Sequence, residues 1–179
     1  MTIKKVEVGH YSIPLPVVLS DSMHGDMSGF ELMTVRISDV EGREGLGYTY
    51  TLGAGARAIH SVMEADMVPF LLGRDETRIE EIWQSLWWKL HYAGRGGLAI
   101  HALSAIDIAL WDLLGKRTDL PLWRLLGGSN PEVKAYAGGI DLMFTLDELL
   151  AQTEKNLSNG FRAIKMKAVS YTHLRAHET

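Results

Sequence analysis

Gly160-Phe161-Arg162-Ala163-Ile164-Lys165-Met166-Lys167 reads as a short apolar strand ending in two lysines two residues apart. Successive side chains of a strand point to opposite faces, so Lys165 and Lys167 project from the same one. Ammonium groups held that close raise the cost of protonating each other, which favours a neutral amine on one of them at working pH. A neutral lysine can take a proton from carbon. A strand edge punctuated by surface lysines has the same local sequence, so the rest of the chain decides between the two readings.

Upstream, Thr145 to Asn159 carries Leu146, Leu149, Leu150 and Leu157 as an apolar stripe, and Asn159-Gly160 is a helix stop. With a strand expected at Val133 to Ala137, this stretch has the form of a βαβ unit, the beginning of a barrel or an open sheet. Further back, Ile3 to Ile13, Glu31 to Ser38 and Leu46 to Thr51 read as strands, with Asp39-Val40-Glu41-Gly42 as the turn between the second and third. Three helices follow. The first, Ala56 to Leu72, carries Ile59, Val62, Met63, Met67, Phe70 and Leu71; the second carries Ile79, Ile82, Trp83, Leu86 and Trp87; the third is the run from Ala99 to Leu114. Three strands in an antiparallel meander followed by three helices make an α+β domain.

Composition narrows the function classes. The chain has 179 residues, 46% hydrophobic and 22% charged, enough for one ordinary core and parts of a second. A net charge of −4 and the absence of a lysine and arginine cluster give no electrostatic case for nucleic acid or an anionic membrane. Zero cysteines exclude disulfides, thiolate metal sites and a cysteine nucleophile; they leave the redox compartment undecided and fit a cytoplasmic enzyme. Met1-Thr2-Ile3-Lys4-Lys5-Val6-Glu7 lacks the apolar core of a signal peptide, and no membrane span is expected.

The run Ala99-Ile100-His101-Ala102-Leu103-Ser104-Ala105-Ile106-Asp107-Ile108-Ala109-Leu110-Trp111-Asp112-Leu113-Leu114-Gly115-Lys116, followed by Pro121-Leu122-Trp123-Arg124-Leu125-Leu126-Gly127-Gly128, resembles the enolase superfamily. The nearest likeness is its mandelate racemase/muconate lactonizing branch. The ending Lys165-Met166-Lys167 resembles the mandelate racemase subgroup, whose second barrel strand closes on Lys-x-Lys. The resemblance implies an N-terminal capping domain at 1–128, then at 129–168 the first strand, first helix and second strand of a (β/α) barrel. A whole barrel needs roughly 200 to 250 residues, so the chain is expected to be an N-terminal fragment. Residues 169–179 do not resemble the family and read as a non-native tail.

In such enzymes a lysine or histidine base removes the proton α to a carboxylate while Mg²⁺ stabilises the enediolate. The resemblance makes Lys167 the base and Lys165 its neighbour at the substrate carboxylate. It puts the metal ligands on later barrel strands, so the intact parent would use Mg²⁺ and no residue here is assigned to it. The implied substrate is a small carboxylate, a sugar acid to be dehydrated or a 2-hydroxy acid to be racemised, and the parent would be a homo-oligomer.

Two segments are implied as lids over the barrel, residues 19–29 and 48–53. Ser20, Asp21, Ser22 and His24 suit the hydroxyls of a sugar acid, which favours dehydration, and Tyr50 joins them from the second segment. Arg95 either reaches the substrate carboxylate or caps the following helix. Asp107 and Asp112 are expected in structural contacts; the five tryptophans, and His60, His91 and His101, are expected in packing or at the surface. A reading of another class treats the chain as a non-catalytic module that binds a partner through its tryptophan-rich helices.

Overall fold

The computed structural model describes residues 1–167, so the expected non-native tail lies outside the described residues. Three strands, β1 (Ile3–Asp21), β2 (Gly25–Asp39) and β3 (Glu44–Thr51), form an antiparallel sheet in the order β1-β2-β3. The register of β2 on β3 runs from Glu31↔Thr51 to Ser38↔Glu44. The period of two is visible in burial: Met33, Val35 and Ile37 are fully buried on β2, while Leu46, Tyr48 and Tyr50 lie exposed on β3. The Asp39 carboxylate closes the tight turn by accepting the backbone N–H groups of Glu41 (2.8 Å) and Arg43 (2.9 Å).

The helices that follow are α1 (Ala56–Val62), a π-helical turn (Met63–Met67), α2 (Val68–Leu71), α3 (Ile79–Lys89), α4 (Leu98–Thr118) and α5 (Leu122–Leu125). The first was expected to run unbroken from Ala56 to Leu72. Pro69 explains the π turn, because it has no N–H to donate and its ring crowds the carbonyl four residues back. The chain widens there, and Val68 donates to the Met63 carbonyl five residues back.

Packing of α4 on β3 depends on two glycines. A Cβ at Gly45 would lie 2.0 Å from the Ala109 carbonyl oxygen, and one at Gly47 would lie 1.9 Å from that of Ala105. Glycine on the strand and alanine on the helix let the two backbones touch. The Asp112 carboxylate accepts the N–H of Leu46 at 2.7 Å, and Lys116 bridges Asp112 Oδ2 (2.8 Å) and the Glu44 carbonyl (2.9 Å). Asp112 is therefore structural, as its sequence context suggested. By length and composition alone α4 could cross a bilayer, contrary to the sequence expectation, but half of its most apolar window is buried inside the fold. The shared core also takes Ile59, Met63, Met67, Leu71, Ile82 and Leu86.

Contacts divide the chain into two compact units, one of Met1–Ile13 and Phe30–Ser129, the other of Pro14–Gly29 with the chain from Asn130 onward. The second unit contains the far half of the β1–β2 hairpin together with β4 (Ala137–Gly138), α6 (Leu146–Ser158) and β5 (Ile164–Lys165). Strands β4 and β5 pair in parallel, Ala137↔Ile164 and Gly138↔Lys165. The expected strand at Val133 to Ala137 shortens to the residues that face β5, and Val133 is 86% exposed. Helix α6 begins in a full capping box. Thr145 Oγ1 accepts from Glu148 N (3.3 Å) and Glu148 Oε2 accepts from Thr145 N (2.7 Å).

Candidate active site

Within the second unit, the strand-helix-strand segment brings Lys165 and Lys167 to the C-terminal end of β5. Its ladder is regular: Ala137 N donates to Ala163 O (2.9 Å) and Gly139 N to Lys165 O (2.8 Å). Lys167 N then donates to the side chain of Asp141, at Oδ1 and 2.8 Å. This carboxylate gives the Lys167 main chain a partner just beyond the end of β5. Lys165 is exposed and Lys167 half-buried.

Asp141 went unnoticed in the sequence, where it is a lone aspartate between Ile140 and Leu142. In the structure it is 1% exposed, and its other oxygen, Oδ2, accepts from Gln152 Nε2 of α6 at 2.7 Å. A usable signal was present in the order Gly138-Gly139-Ile140-Asp141, a small-residue turn leading from a strand to a carboxylate. A Cβ at Gly139 would fall 2.2 Å from Asp141 Oδ2, so glycine there makes room for the carboxylate.

The segment expected as an open lid loop is instead the end of a hairpin, with only Ser22-Met23-His24 between β1 and β2. The reason is local. Asp21 Oδ1 accepts the N–H groups of Met23 (2.9 Å) and His24 (2.7 Å), and His24 Nδ1 lies 3.0 Å from the same carboxylate. The His24 side-chain and backbone hydrogen bonds, with help from Met23 N, lower the Asp21 carboxyl to about 2. With Nδ1 on Asp21, the other ring nitrogen of His24 remains for a second partner. Ser20 contributes main chain: it bridges Asp141 in parallel, and its carbonyl accepts Leu142 N at 3.3 Å. The hairpin, the strand-helix turn and the lysine strand thus converge on Asp141.

Tyr50 and Arg95 belong to the first unit and lie in other settings. Tyr50 stands edge-on to Phe30, ring centroids 5.6 Å apart, in an apolar groove with Ile13 and Leu32. The Arg95 guanidinium stacks on Trp87 at 3.8 Å and Trp88 at 4.2 Å from the ring centroids. It makes no side-chain cap on α4. Trp83 and Trp87 are stacked and pack against the core, in keeping with their helical spacing. His101 meets the Thr49 hydroxyl at 3.0 Å, and Asp107 has its carboxyl raised by burial, opposed by a hydrogen bond with Trp111.

Comparison with known proteins identifies the family. Residues 3–127 match the family described as mandelate racemase / muconate lactonizing enzyme, N-terminal domain. The chain is 55% identical over 165 residues to a 3,6-anhydro-alpha-L-galactonate cycloisomerase of Streptomyces coelicolor, covering 92% of this chain and 46% of that protein. It superposes with a TM-score of 0.89 on the crystal structure of a racemase from Streptomyces coelicolor A3(2) with bound magnesium, at 55% identity, covering 92% of this chain and 46% of that one. The TM-score is also 0.89 against L-talarate/galactarate dehydratase from Salmonella typhimurium LT2 liganded with Mg and L-lyxarohydroxamate, at 30% identity and 99% and 46% coverage. The chain spans about half the length of these relatives. Although two of them hold magnesium, among the described residues no group of three or more histidines, aspartates or glutamates is placed to hold a metal ion.

Proposed function

Because this chain belongs to the mandelate racemase/muconate lactonizing enzyme family, we propose that it serves as the N-terminal part of a longer enzyme that removes the proton α to the carboxylate of a sugar acid. Residues 1–128 are its capping domain and 129–168 open its barrel. Lys167 is the base. Lys165, two residues away, offers its charge to the substrate carboxylate. His24 and the hairpin end supply polar contacts to substrate hydroxyls, with Ser20 and Asp21 holding that end in shape. The enzyme works in the cytoplasm as a homo-oligomer.

The observation that supports this reading is the parallel pairing of β4 with β5, which ends at Lys165 with Lys167 two residues on; barrels of this kind build their sites at the C-terminal ends of such strands. Dehydration follows if the enediolate expels a β-hydroxyl as water. A second reading, isomerisation without loss of water, is favoured by the 55% identity to a cycloisomerase and begins with the same proton removal.

The test uses the full-length enzyme that carries this segment, incubated with sugar acids in deuterated water. Lys167→Ala is expected to abolish deuterium uptake at the α carbon while substrate still binds. Undiminished uptake would remove Lys167 from the role. The mass of the product, with or without water, separates dehydration from isomerisation.

A further inference from the structure

We propose that Asp141 is a positioning residue of the active site, which fixes the main chain of Lys167 and locks the end of the β1–β2 hairpin to the first strand-helix turn. The proposal rests on the reading of Lys167 as base, and its geometry stands apart from that reading. A buried carboxylate must have its oxygens satisfied, and here each has one specific donor: Lys167 N on Oδ1 and Gln152 Nε2 on Oδ2. With both oxygens engaged, the carboxylate has one orientation, and through it Lys167 acquires one as well.

The surrounding atoms reinforce that orientation. Gly139 is the only residue type that leaves space for Oδ2, since any Cβ would overlap it. The Asp141 carbonyl accepts Phe144 N at 3.0 Å, which holds the turn into α6. Ser20 pairs with Asp141, and Leu142 N donates to the Ser20 carbonyl, so movement of the hairpin end is transmitted to the same carboxylate. Where β5 has finished and no backbone rung remains for Lys167, a side chain supplies one. A base placed on a strand end without such a tie would fray, and displacement of about 1 Å is enough to cost roughly a hundredfold in rate.

The experiment takes four variants of the full-length enzyme and measures kcat, KM and the hydrogen-exchange protection of the Lys167 amide. Asp141→Ala is expected to lose that protection and to lower kcat about a hundredfold with KM within about threefold. Asp141→Asn keeps an acceptor for Lys167 N–H, and a reversed Gln152 amide can accept from the new NH₂ group. It should stay within about threefold of wild type. Gly139→Ala, which pushes on Oδ2 without touching the lysines, should reproduce the kcat loss, and Gln152→Ala should give a smaller one. These two carry the test if Asp141→Ala fails to fold. Retained amide protection in the folded Asp141→Ala variant, or in Gly139→Ala should Asp141→Ala fail to fold, would overturn the tie. Lost protection with unchanged kcat would overturn the positioning role, as would an Asp141→Asn variant as slow as Asp141→Ala. Full α-deuterium uptake by Lys167→Ala would instead remove the base assignment and leave the tie to Lys167 intact.

Discussion

Lys165 and Lys167 could be picked from the sequence because their two-residue spacing is itself the geometry, whereas Asp141 could not, because what matters about it is burial and partners 11 and 26 residues away. The same distinction holds at the hairpin end. Asp21 and His24 were read as substrate contacts from their polarity; the structure gives Asp21 to the turn and leaves one His24 nitrogen available. This has a pH consequence. The Asp21 carboxyl stands at about 2 in the fold, below the ordinary unfolded value near 3.9. Its contribution is therefore fully present above about pH 4 and is lost as the pH falls through 2. Amide exchange at Met23 and His24 should speed up across that window, and Asp21→Asn should flatten the change. A turn whose exchange rates follow only the intrinsic pH dependence would show that the carboxylate does not hold it.

At the scale of elements, the contact between α4 and β3 is the least forgiving part of the capping unit. Gly47→Ala places a Cβ against the Ala105 backbone, which no rotamer change relieves, so the helix must move off the sheet. A loss of about 3 kcal/mol in unfolding free energy is expected by denaturant titration. A change below about 0.5 kcal/mol would mean that the two backbones are not in contact. Arg117 and Glu76 offer a second check, since Glu76 is 2% exposed and Arg117 Nη1 lies 3.1 Å from its Oε1. Arg117→Ala would leave the Glu76 carboxylate buried without its cation, and about 3 kcal/mol of destabilisation should follow. The sequence periodicity delivered these helices, but not the π turn before Pro69.

For the whole molecule, the two units should differ in stability. The unit containing α4 buries a continuous core, while α6 has no buried residue and exposes Leu146, Leu150 and Leu157. Hydrogen exchange on the 179-residue chain should find slow amides in β2 and α4 and fast ones throughout α6. Exposed apolar side chains there, with Val133, Tyr136 and Met143, should also bind a hydrophobic dye and make the chain prone to association. Joining residues 1–167 to the remaining barrel of the Streptomyces coelicolor cycloisomerase should slow exchange in α6 and abolish dye binding. Slow exchange in α6 of the unjoined chain would contradict the account. Millimolar Mg²⁺ should leave the melting temperature of the unjoined chain unchanged, since no described cluster can hold it.

The sequence by itself determined the main element types and their order, because periods of 2 and 3.6 and the Asn159-Gly160 helix stop are local properties. Tertiary structure alone decided that Asp141 is buried, pairs with Ser20 and binds the Lys167 main chain. Each of these depends on which distant groups meet and which are removed from water. Such contacts join residues as far apart in the chain as Ser20 and Asp141, and no local pattern records them.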